Sequence, residues 1–388
     1  MVSPGARSLD EDAAAERNAV KRCLQCLIPD TRPDTPFLNG VCAACLAYAA
    51  RPKIDWQARE EALQALLARA RETSKARGNH FDVIVPSSGG KDSTAQVLML
   101  KGRGARVLVV TATTCHLTTI GRYNIDNLAR HATTVEITPN REVRAKLNRL
   151  GLELVGDISW PEHVSIFTTP FRVAAQTGIP FIFYGENPQN QYGGPLEAQD
   201  AQQMTRRWVS EFGGFLGLRP ADLVGQNGLT ADDMADYTLA GIQIEGIEAH
   251  FLGQYLPWDS HENADRARKA GMRQRAPCSA NQWIAENLDN AQTGIHDHFL
   301  WRKYGYGRGC AQASVDVRSG RADRATALDW VEHFDGLFPY EYAGVDIEEM
   351  LARIGMTLAD LDPLLHRFTN WDLFEGEHNR RPILKAPS

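Results

Sequence analysis

The sequence predicts an α/β protein with a parallel sheet, preceded by a small cysteine-bearing module and followed by a helical region. Three observations support this prediction. Short apolar segments alternate with helical patterns through the centre of the chain, four of the seven cysteines cluster near its beginning, and the chain turns helical and loop-rich from about Ala198. Alternation of this kind is typical of a parallel sheet that helices cover on both faces.

The predicted sheet has four strands, each a short apolar segment bounded by turn residues. They span residues 81–86, 106–111, 134–137 and 179–184. Helical periodicity predicts helices over residues 55–77, 92–101, 121–132 and, late in the chain, 329–334, which Gly336 closes. Parallel sheets bind ligands outside the carboxyl ends of their strands, so polar motifs that follow strands are candidate site residues.

These elements divide the chain into five predicted parts. They are a disordered lead (1–20), a zinc-binding module (21–52), a linker helix (53–78), the sheet domain (79–260) and a mostly helical C-terminal region (261–388).

Composition excludes some classes of function. The chain of 388 residues has a net charge of −6, and 43% of its residues are hydrophobic. This composition is that of a globular protein, and the acidic balance argues against general nucleic-acid binding. No apolar run is long enough for a transmembrane segment, and the first twenty residues lack the apolar core of a secretory signal. We therefore expect a cytoplasmic protein.

The most informative motif is the segment Ser88–Thr94 (Ser-Gly-Gly-Lys-Asp-Ser-Thr), between the first predicted strand and its helix. Gly89 and Gly90 let the backbone approach an anion, and the N–H groups at the start of the helix face it. Ser88, Lys91 and Ser93 would add charge-assisted hydrogen bonds to phosphate. Asp92 suits this place if Mg²⁺ bridges it to the phosphates.

Other phosphate motifs do not fit this segment. A Walker A loop requires glycine at position 85 and Ser or Thr at position 92, where the chain has Val85 and Asp92. A plain glycine turn with an N-cap is the non-functional interpretation. The complete motif between a strand and a helix favours phosphate binding.

Ser-Gly-Gly-x-Asp-Ser resembles the signature of the PP-loop ATP pyrophosphatases, whose fold is adenine nucleotide alpha hydrolase-like. The resemblance implies that ATP is cleaved between its α and β phosphates and that AMP is placed on a carbonyl oxygen, from which a nucleophile displaces it. It also implies adenosine contacts at the end of the second strand, where Thr111 and Thr113 stand.

The four clustered cysteines form two Cys-x-x-Cys pairs, Cys23–Cys26 and Cys42–Cys45, separated by fifteen residues. This spacing is typical of a Cys₄ zinc site, in which each pair presents two thiolates to one tetrahedral ion. Four protein ligands leave no open position, so the pattern indicates a structural Zn²⁺ that stabilises a module too small to fold on its apolar content. Four free cysteines or a redox pair are the alternatives.

A polar, glycine-rich loop follows the fourth strand. It begins at Gly185, Glu186 and Asn187 and continues to Tyr192, at the strand end where a parallel sheet binds ligands. An ordinary turn-rich loop is the other interpretation.

Together these motifs resemble the N-acetyl sugar amidotransferases of bacterial surface-polysaccharide and flagellin-sugar biosynthesis. The likeness includes residues 29–34 after the first cysteine pair, 252–258, 303–308 and 316–321, and it runs from about residue 23 to 336. The family's reaction converts an acetamido group on a nucleotide- or lipid-linked sugar into an acetamidino group with ATP and Mg²⁺. Its ammonia comes from a separate glutaminase through a cyclase-like channel subunit. A homo-oligomer remains open.

The resemblance gives the predicted roles of the remaining residues. Lys91, Asp92, Glu186 and Asn187 are the predicted catalytic residues, and Gly185 joins the phosphate loop in nucleotide binding. Glu186, Asn187 and Tyr192 would orient the acetamido group or the attacking nitrogen. Arg308, Arg318 and Arg321 would hold a diphosphate, although a solvated basic face explains them equally well.

Two further groups have plainer interpretations. His296 and His298, on either side of Asp297, do not share a helix face, so a structural or orienting role is expected rather than a joint metal site. Cys115, Cys278 and Cys310 could suggest a sulfur relay, but isolated cysteines are usually small buried hydrophobic residues, and we expect that here.

Three alternatives remain. A tRNA sulfurtransferase would use the same adenylation, with Cys115 as its strongest support, and another PP-loop amidating enzyme would share the loop. A zinc-bearing scaffold without catalysis is the third, and the intact loop argues against it.

Overall fold

The computed structural model describes residues 20–33, 35–199, 201, 203–278 and 280–385. The predicted disordered lead lies, except for Val20, outside these ranges. The strands are β1 Phe37–Leu38, β2 Val41–Cys42, β3 Val83–Pro86, β4 Val107–Ala112, β5 Thr133–Ile137, β6 Phe181–Tyr184, β7 Glu248–Phe251, β8 Glu341–Tyr342, β9 Val345–Asp346, β10 Phe374–His378 and β11 Arg381–Leu384.

The α-helices follow in chain order. They are α1 Ala43–Ala50, α2 Trp56–Ala76, α3 Lys91–Gly102, α4 Thr119–Leu128, α5 Arg141–Val155, α6 Trp160–Thr177, α7 Pro188–Tyr192, α8 Leu196–Gln199, α9 Arg206–Phe212, α10 Ser260–Lys269, α11 Thr293–Tyr304, α12 Arg308–Arg318, α13 Arg324–Phe334, α14 Ile347–Ala352 and α15 Leu358–Arg367.

The centre of the fold is a five-stranded parallel sheet in the order β5-β4-β3-β6-β7. The predicted α/β class and the four predicted strands are confirmed. The fifth strand, β7, was not predicted. It pairs along β6 at the edge of the sheet, and its sequence, Glu-Ala-His-Phe, lacks the apolar run that marks the inner strands.

Helices cover both faces of this sheet. Helices α2 and α3 pack on one face, through residues such as Leu67 and Leu100, and α6 packs on the other through residues such as Phe171. The central strand β3 is buried on both sides, which explains its uninterrupted Val-Ile-Val sequence.

The order of the strands places the candidate site. The chain runs from β3 to β4 and β5 on one side, and then returns to β6 on the other side of β3. This reversal makes a crevice at the carboxyl ends of β3, β4 and β6, which is where doubly wound sheets bind ligands. The loop Ser87–Gly90, which joins β3 to α3, lies at that point.

Glycine is required at position 89 of this loop. Gly89 has a φ of +79°, and a Cβ there would lie 2.7 Å from the backbone of Asn124 and Ile125 in α4. Both the left-handed conformation and the close approach therefore exclude a side chain.

The C-terminal region is mostly helical and also contains two small antiparallel pairs, β8–β9 and β10–β11. It packs on the sheet domain through an apolar cluster in which Ile295 and Phe299 of α11 join Leu152 of α5. Within the described ranges, no helix combines the length and the apolar character that crossing a bilayer requires.

We predict that Gly121→Ala destabilises the chain. A Cβ at Gly121, in α4, would lie only 2.5 Å from Cα of Asp289, so the segment before α11 would have to move. Overpacking of this kind costs about 1–3 kcal/mol. Urea denaturation measures the change in the free energy of unfolding.

Gly102→Ala, also in a helix, is the matched control, because a Cβ there meets nothing within 4 Å. It should be neutral or stabilising by up to about 1 kcal/mol. Equal effects of the two substitutions would contradict the close packing of α4 against Asp289.

Candidate active site

A cavity of about 410 Å³ opens at the carboxyl ends of β3, β4 and β6. Its volume falls in the roughly 300–1,000 Å³ range of ligand pockets. Its walls come from the loop after β3, the end of β4, the first turns of α6, the loop after β6 and residues 285–289 before α11. Of the residues predicted from the sequence, those that line it are Ser88, Gly90, Lys91, Asp92, Ser93, Gly185 and Glu186.

The loop holds its shape through a serine that the sequence analysis did not single out. Ser87 Oγ accepts a hydrogen bond from the Gly89 N–H at 2.9 Å and donates to Ser93 Oγ at 2.7 Å. The Ser93 hydroxyl also reaches the Gly90 carbonyl at 3.3 Å. Ser93 therefore helps to fix the loop. The N–H groups of the first turn of α3 have no acceptor within the helix and face the cavity.

Lys91 is a buried positive charge on the wall of the cavity, only 4% exposed. Its ammonium pairs with Asp92, and with Glu286 at 3.4 Å. Although burial acts to lower the pKa of Lys91, the carboxylates of Asp92 and Glu286 raise it well above the usual value, so the side chain stays charged. Asn263 of α10 donates to Asp92 Oδ1 at 3.0 Å and fixes that carboxylate beside the loop.

Glu286 belongs to the site although no local signal marked it. It lies in an irregular segment between α10 and α11, where Gln312 of α12 donates to its Oε2 at 2.5 Å. Burial acts to raise the pKa of Glu286, but the charges of Lys91 and Arg308 lower it overall, so the group is a carboxylate. Its partner Lys91 is 195 residues away in the sequence, so only the tertiary fold reveals the pair.

Glu186 is a titratable group on the cavity wall that is suited to proton transfer. Burial, together with the charge of Asp92, raises the pKa of Glu186 to about 7, while Lys91 acts in the opposite direction. A carboxyl group with a pKa near the operating pH can both accept and donate a proton.

The carboxylate of Glu286 acts on both Tyr192 and Arg308. Burial raises the pKa of Tyr192 well above its usual value, and the carboxylates of Glu286 and Glu186 raise it further, so its phenol stays protonated. Arg308 donates from Nη2 to Asp297 Oδ1 at 3.0 Å. Arg308 is thus part of a largely buried ionic cluster, and the solvated-face interpretation does not describe it.

Asn187 lies just beyond the cavity with its side chain occupied by backbone. Its Oδ1 accepts from the Gln189 N–H at 3.0 Å, and its Nδ2 donates to the Ala198 carbonyl at 2.6 Å. These contacts make Asn187 the N-cap that shapes the loop after β6, and its catalytic role stays a prediction.

Two neighbouring residues shape the cavity near Gly185. A Cβ at Gly185 would lie 3.0 Å from the Trp258 ring and 3.2 Å from Gln96 Nε2. Gln96, on α3, lines the cavity, and its buried amide nitrogen has no hydrogen-bond partner among the described residues. It is therefore a donor available to a ligand, which the sequence analysis missed.

The two residues predicted to contact adenosine lie at the end of β4 and just after it. Val110, Ala112 and Thr114 line the cavity, whereas Thr111 and Thr113 do not. Side chains alternate between the two faces of a strand, so neighbours of a lining residue point away from it. Thr113 instead contacts Thr138 Oγ1 at 3.0 Å beyond β5.

A second, smaller cavity of about 120 Å³ meets the first at Glu186. Its lining includes aromatic and basic side chains, among them Tyr48, Arg51, Trp258, Arg318 and Arg321. Arg321 pairs with Asp259 Oδ2 at 2.7 Å. The three predicted arginines are therefore divided: Arg308 lies with Glu286, and Arg318 and Arg321 line the second cavity.

The four clustered cysteines converge as predicted. Their sulfurs lie within 4.8 Å of one another, with Cys23–Cys45 at 3.8 Å and Cys26–Cys42 at 3.6 Å. Zinc–sulfur bonds of about 2.3 Å in a tetrahedron set the sulfurs about 3.8 Å apart, so the quartet fits a zinc ion. Arg318 donates from Nε to Cys45 Sγ at 3.4 Å and offsets thiolate charge.

The other cysteines do not resemble a sulfur relay. Burial raises the pKa of Cys115 to about 11 and that of Cys310 to about 12. Neither thiol is a ready nucleophile near neutral pH. Cys310 packs in the apolar cluster around the cysteine quartet.

Each of the three residues in the segment His296–His298 contacts a different partner. His296 Nδ1 lies 2.8 Å from Asp157 Oδ1, Asp297 pairs with Arg308, and His298 Nε2 accepts from Arg302 Nε at 2.8 Å. As expected from helical spacing, the three side chains do not form one site.

Residues 280–385 match the family model described as LPS biosynthesis protein WbpG-like, C-terminal domain. The matched region contains Glu286, Arg308 and Gln312, so it contributes one wall of the cavity. The match supports the resemblance to the N-acetyl sugar amidotransferases and a sugar-modifying role in polysaccharide biosynthesis. No curated protein matches the chain.

We predict that Glu186→Gln changes the pH dependence of stability. The pKa of Glu186 is about 7 in the folded protein, whereas the usual value is 4.5. Folding therefore favours the protonated group, and the wild type loses stability as the pH rises across that interval. Glutamine does not ionise. The Tm of the variant relative to wild type should therefore rise between pH 5 and pH 8.

Glu245→Gln, at an exposed position, is the control and should give a Tm difference that does not vary with pH. A Glu186→Gln difference that stayed constant over the same interval would show that Glu186 ionises as in the unfolded chain.

Proposed function

We propose that this chain is an ATP-dependent amidotransferase that converts the acetamido group of an N-acetylated, nucleotide- or lipid-linked sugar into an acetamidino group, with release of AMP and pyrophosphate. The observation that carries the proposal is the meeting of two cavities at Glu186: one faces an anion-binding loop and the other offers aromatic and arginine side chains.

The larger cavity suits the nucleotide. The first turn of α3 and Lys91 would hold the β and γ phosphates, and Gln96 offers a free donor. Asp92 is a carboxylate on the cavity wall, of the oxygen type that Mg²⁺ prefers, and would hold the ion. Mg²⁺ would supply charge neutralisation for the phosphates.

The smaller cavity suits the sugar carrier. Trp258 and Tyr48 offer faces on which a sugar or base can stack, and Arg321 offers a guanidinium for a diphosphate. A sugar bound there would direct its acetamido group towards Glu186 and the nucleotide.

The proposed reaction has two steps. The acetamido oxygen attacks the α-phosphorus of ATP, and the bond to pyrophosphate breaks, leaving an O-adenylated imidate. Ammonia then adds to the imidate carbon and AMP departs with the original oxygen. Glu186 would accept a proton from the attacking nitrogen, for which its pKa of about 7 is suited. Tyr192 would orient the acetamido group as a hydrogen-bond donor.

Ammonia would come from a separate glutaminase through a cyclase-like channel subunit. This part of the proposal depends on the family resemblance. The cysteine quartet would hold a structural Zn²⁺, as its sulfur spacing supports.

Mass spectrometry tests the function directly. Candidate acetamido sugars, incubated with the enzyme, MgATP and ammonium, should yield a product lighter by the difference between O and NH, together with AMP and pyrophosphate. Formation of ADP instead of AMP would overturn the mechanism. Pyrophosphate release with unchanged sugars across a broad panel would overturn the choice of acceptor.

Lys91→Met should lower pyrophosphate release about a hundred-fold or more, because a buried charge no longer faces the transferring phosphates. Lys101→Met, on the same helix but exposed, is the matched control and should retain activity. Circular dichroism checks that both variants are folded. Full activity in a folded Lys91→Met variant would contradict the assigned phosphate site.

A further inference from the structure

A second group of metal-type ligands lies away from the cysteine quartet and behind the wall of the larger cavity. Asp157 follows Gly156, the left-handed residue that ends α5, while His163 and His296 lie near the starts of α6 and α11. The three side chains offer ligand atoms within 4.8 Å of one another. Three separate elements thus converge on one point.

The distances fit a shared ion. Asp157 Oδ1 lies 2.8 Å from His296 Nδ1, and Asp157 Oδ2 lies 3.1 Å from His163 Nδ1. Metal–ligand bonds of about 2.0–2.1 Å place neighbouring ligand atoms about 2.9 Å apart at right angles and about 3.4 Å apart in a tetrahedron. Both contacts lie close to this range.

The His163 contact differs from an ordinary hydrogen bond. Its Nδ1 has no partner with hydrogen-bond geometry among the described residues, although Asp157 Oδ2 is 3.1 Å away. The nitrogen therefore points beside the carboxylate and not at it. A Cβ at Gly214 would lie 3.3 Å from this nitrogen, so a side chain at that position would crowd it.

A bound cation would also offset a buried negative charge. Asp157 is 3% exposed, and a buried carboxylate needs compensation. The ammonium of Lys303, on which the charge of Asp157 acts, donates a hydrogen bond to the Val155 carbonyl at 2.6 Å.

We propose that Asp157, His163 and His296 bind a divalent transition-metal ion of the Zn²⁺ type, with at least one coordination position left to water. Carboxylate and imidazole ligands suit such ions. This site is separate from the cysteine quartet, and it does not depend on the proposed reaction.

The ion would connect α5, α6 and α11 and so fix one wall of the cavity. Glu162, beside His163, lines the cavity, and residues 285–289 line it shortly before His296. Glu162 is itself held by Arg144 at 3.1 Å. The role assigned to the ion is therefore to hold the sheet domain and the C-terminal region together.

Metal counting on the full chain tests the site. After equilibration with Zn²⁺ and desalting, elemental analysis should find about two zinc ions per chain in the wild type and about one in the double variant His163→Asn/His296→Asn. His378→Asn, at an exposed histidine, is the matched control and should keep both ions.

Cobalt spectroscopy tests the proposed metal site even if the double variant does not fold. Co²⁺ bound to the wild-type chain should show thiolate charge-transfer bands from the quartet and, at higher occupancy, ligand-field bands without them. Asp157→Asn should lose the second set alone. One metal ion per wild-type chain with the thiolate signature only would overturn the proposal and identify the three residues as a hydrogen-bonded group.

Discussion

The site depends on the buried ion pair between Lys91 and Glu286, which joins the phosphate loop to the C-terminal region across 195 residues of sequence. An unpaired charge at either position would be strongly destabilising in this environment. The loop motif alone is therefore incomplete. The part of the chain that matches a polysaccharide-biosynthesis family, residues 280–385, supplies Glu286, which together with Asp92 of the loop keeps the buried Lys91 charged.

A second connection involves the cysteine quartet. Arg318 of α12 contacts Cys45 Sγ and also donates to the Gln191 carbonyl at 2.9 Å, one residue before Tyr192. The quartet packs in an apolar cluster with Cys310 of α12 and Val331 of α13. The N-terminal module thus packs on the C-terminal region and contacts the loop after β6, so all three parts of the chain contribute to the site.

The local sequence pattern was sufficient to predict most helices and strands, but it did not show which side chains point into the cavity. The inner strands were predictable because burial on both sides requires a continuous apolar sequence, whereas the edge strand β7 carries Glu248 and His250 and gave no such signal. Strand β4 was predicted, but Thr111 and Thr113 do not line the cavity, because successive side chains point to opposite sides of a strand. Their contact with adenosine stays a prediction. Asn187 lies in the loop after β6, as expected, and its side-chain amide is hydrogen-bonded to the backbone.

The sequence by itself determined the parallel sheet, the glycine-dependent loop before α3 and the sulfur quartet, because each depends on residues close together in the chain. Only the tertiary structure decided that Glu286 faces Lys91, that Arg308 lies apart from Arg318, and that His296 meets Asp157 from 139 residues away. These contacts arise where helices from distant segments pack together. Their distances depend on the packing of whole elements, which local spacing does not encode.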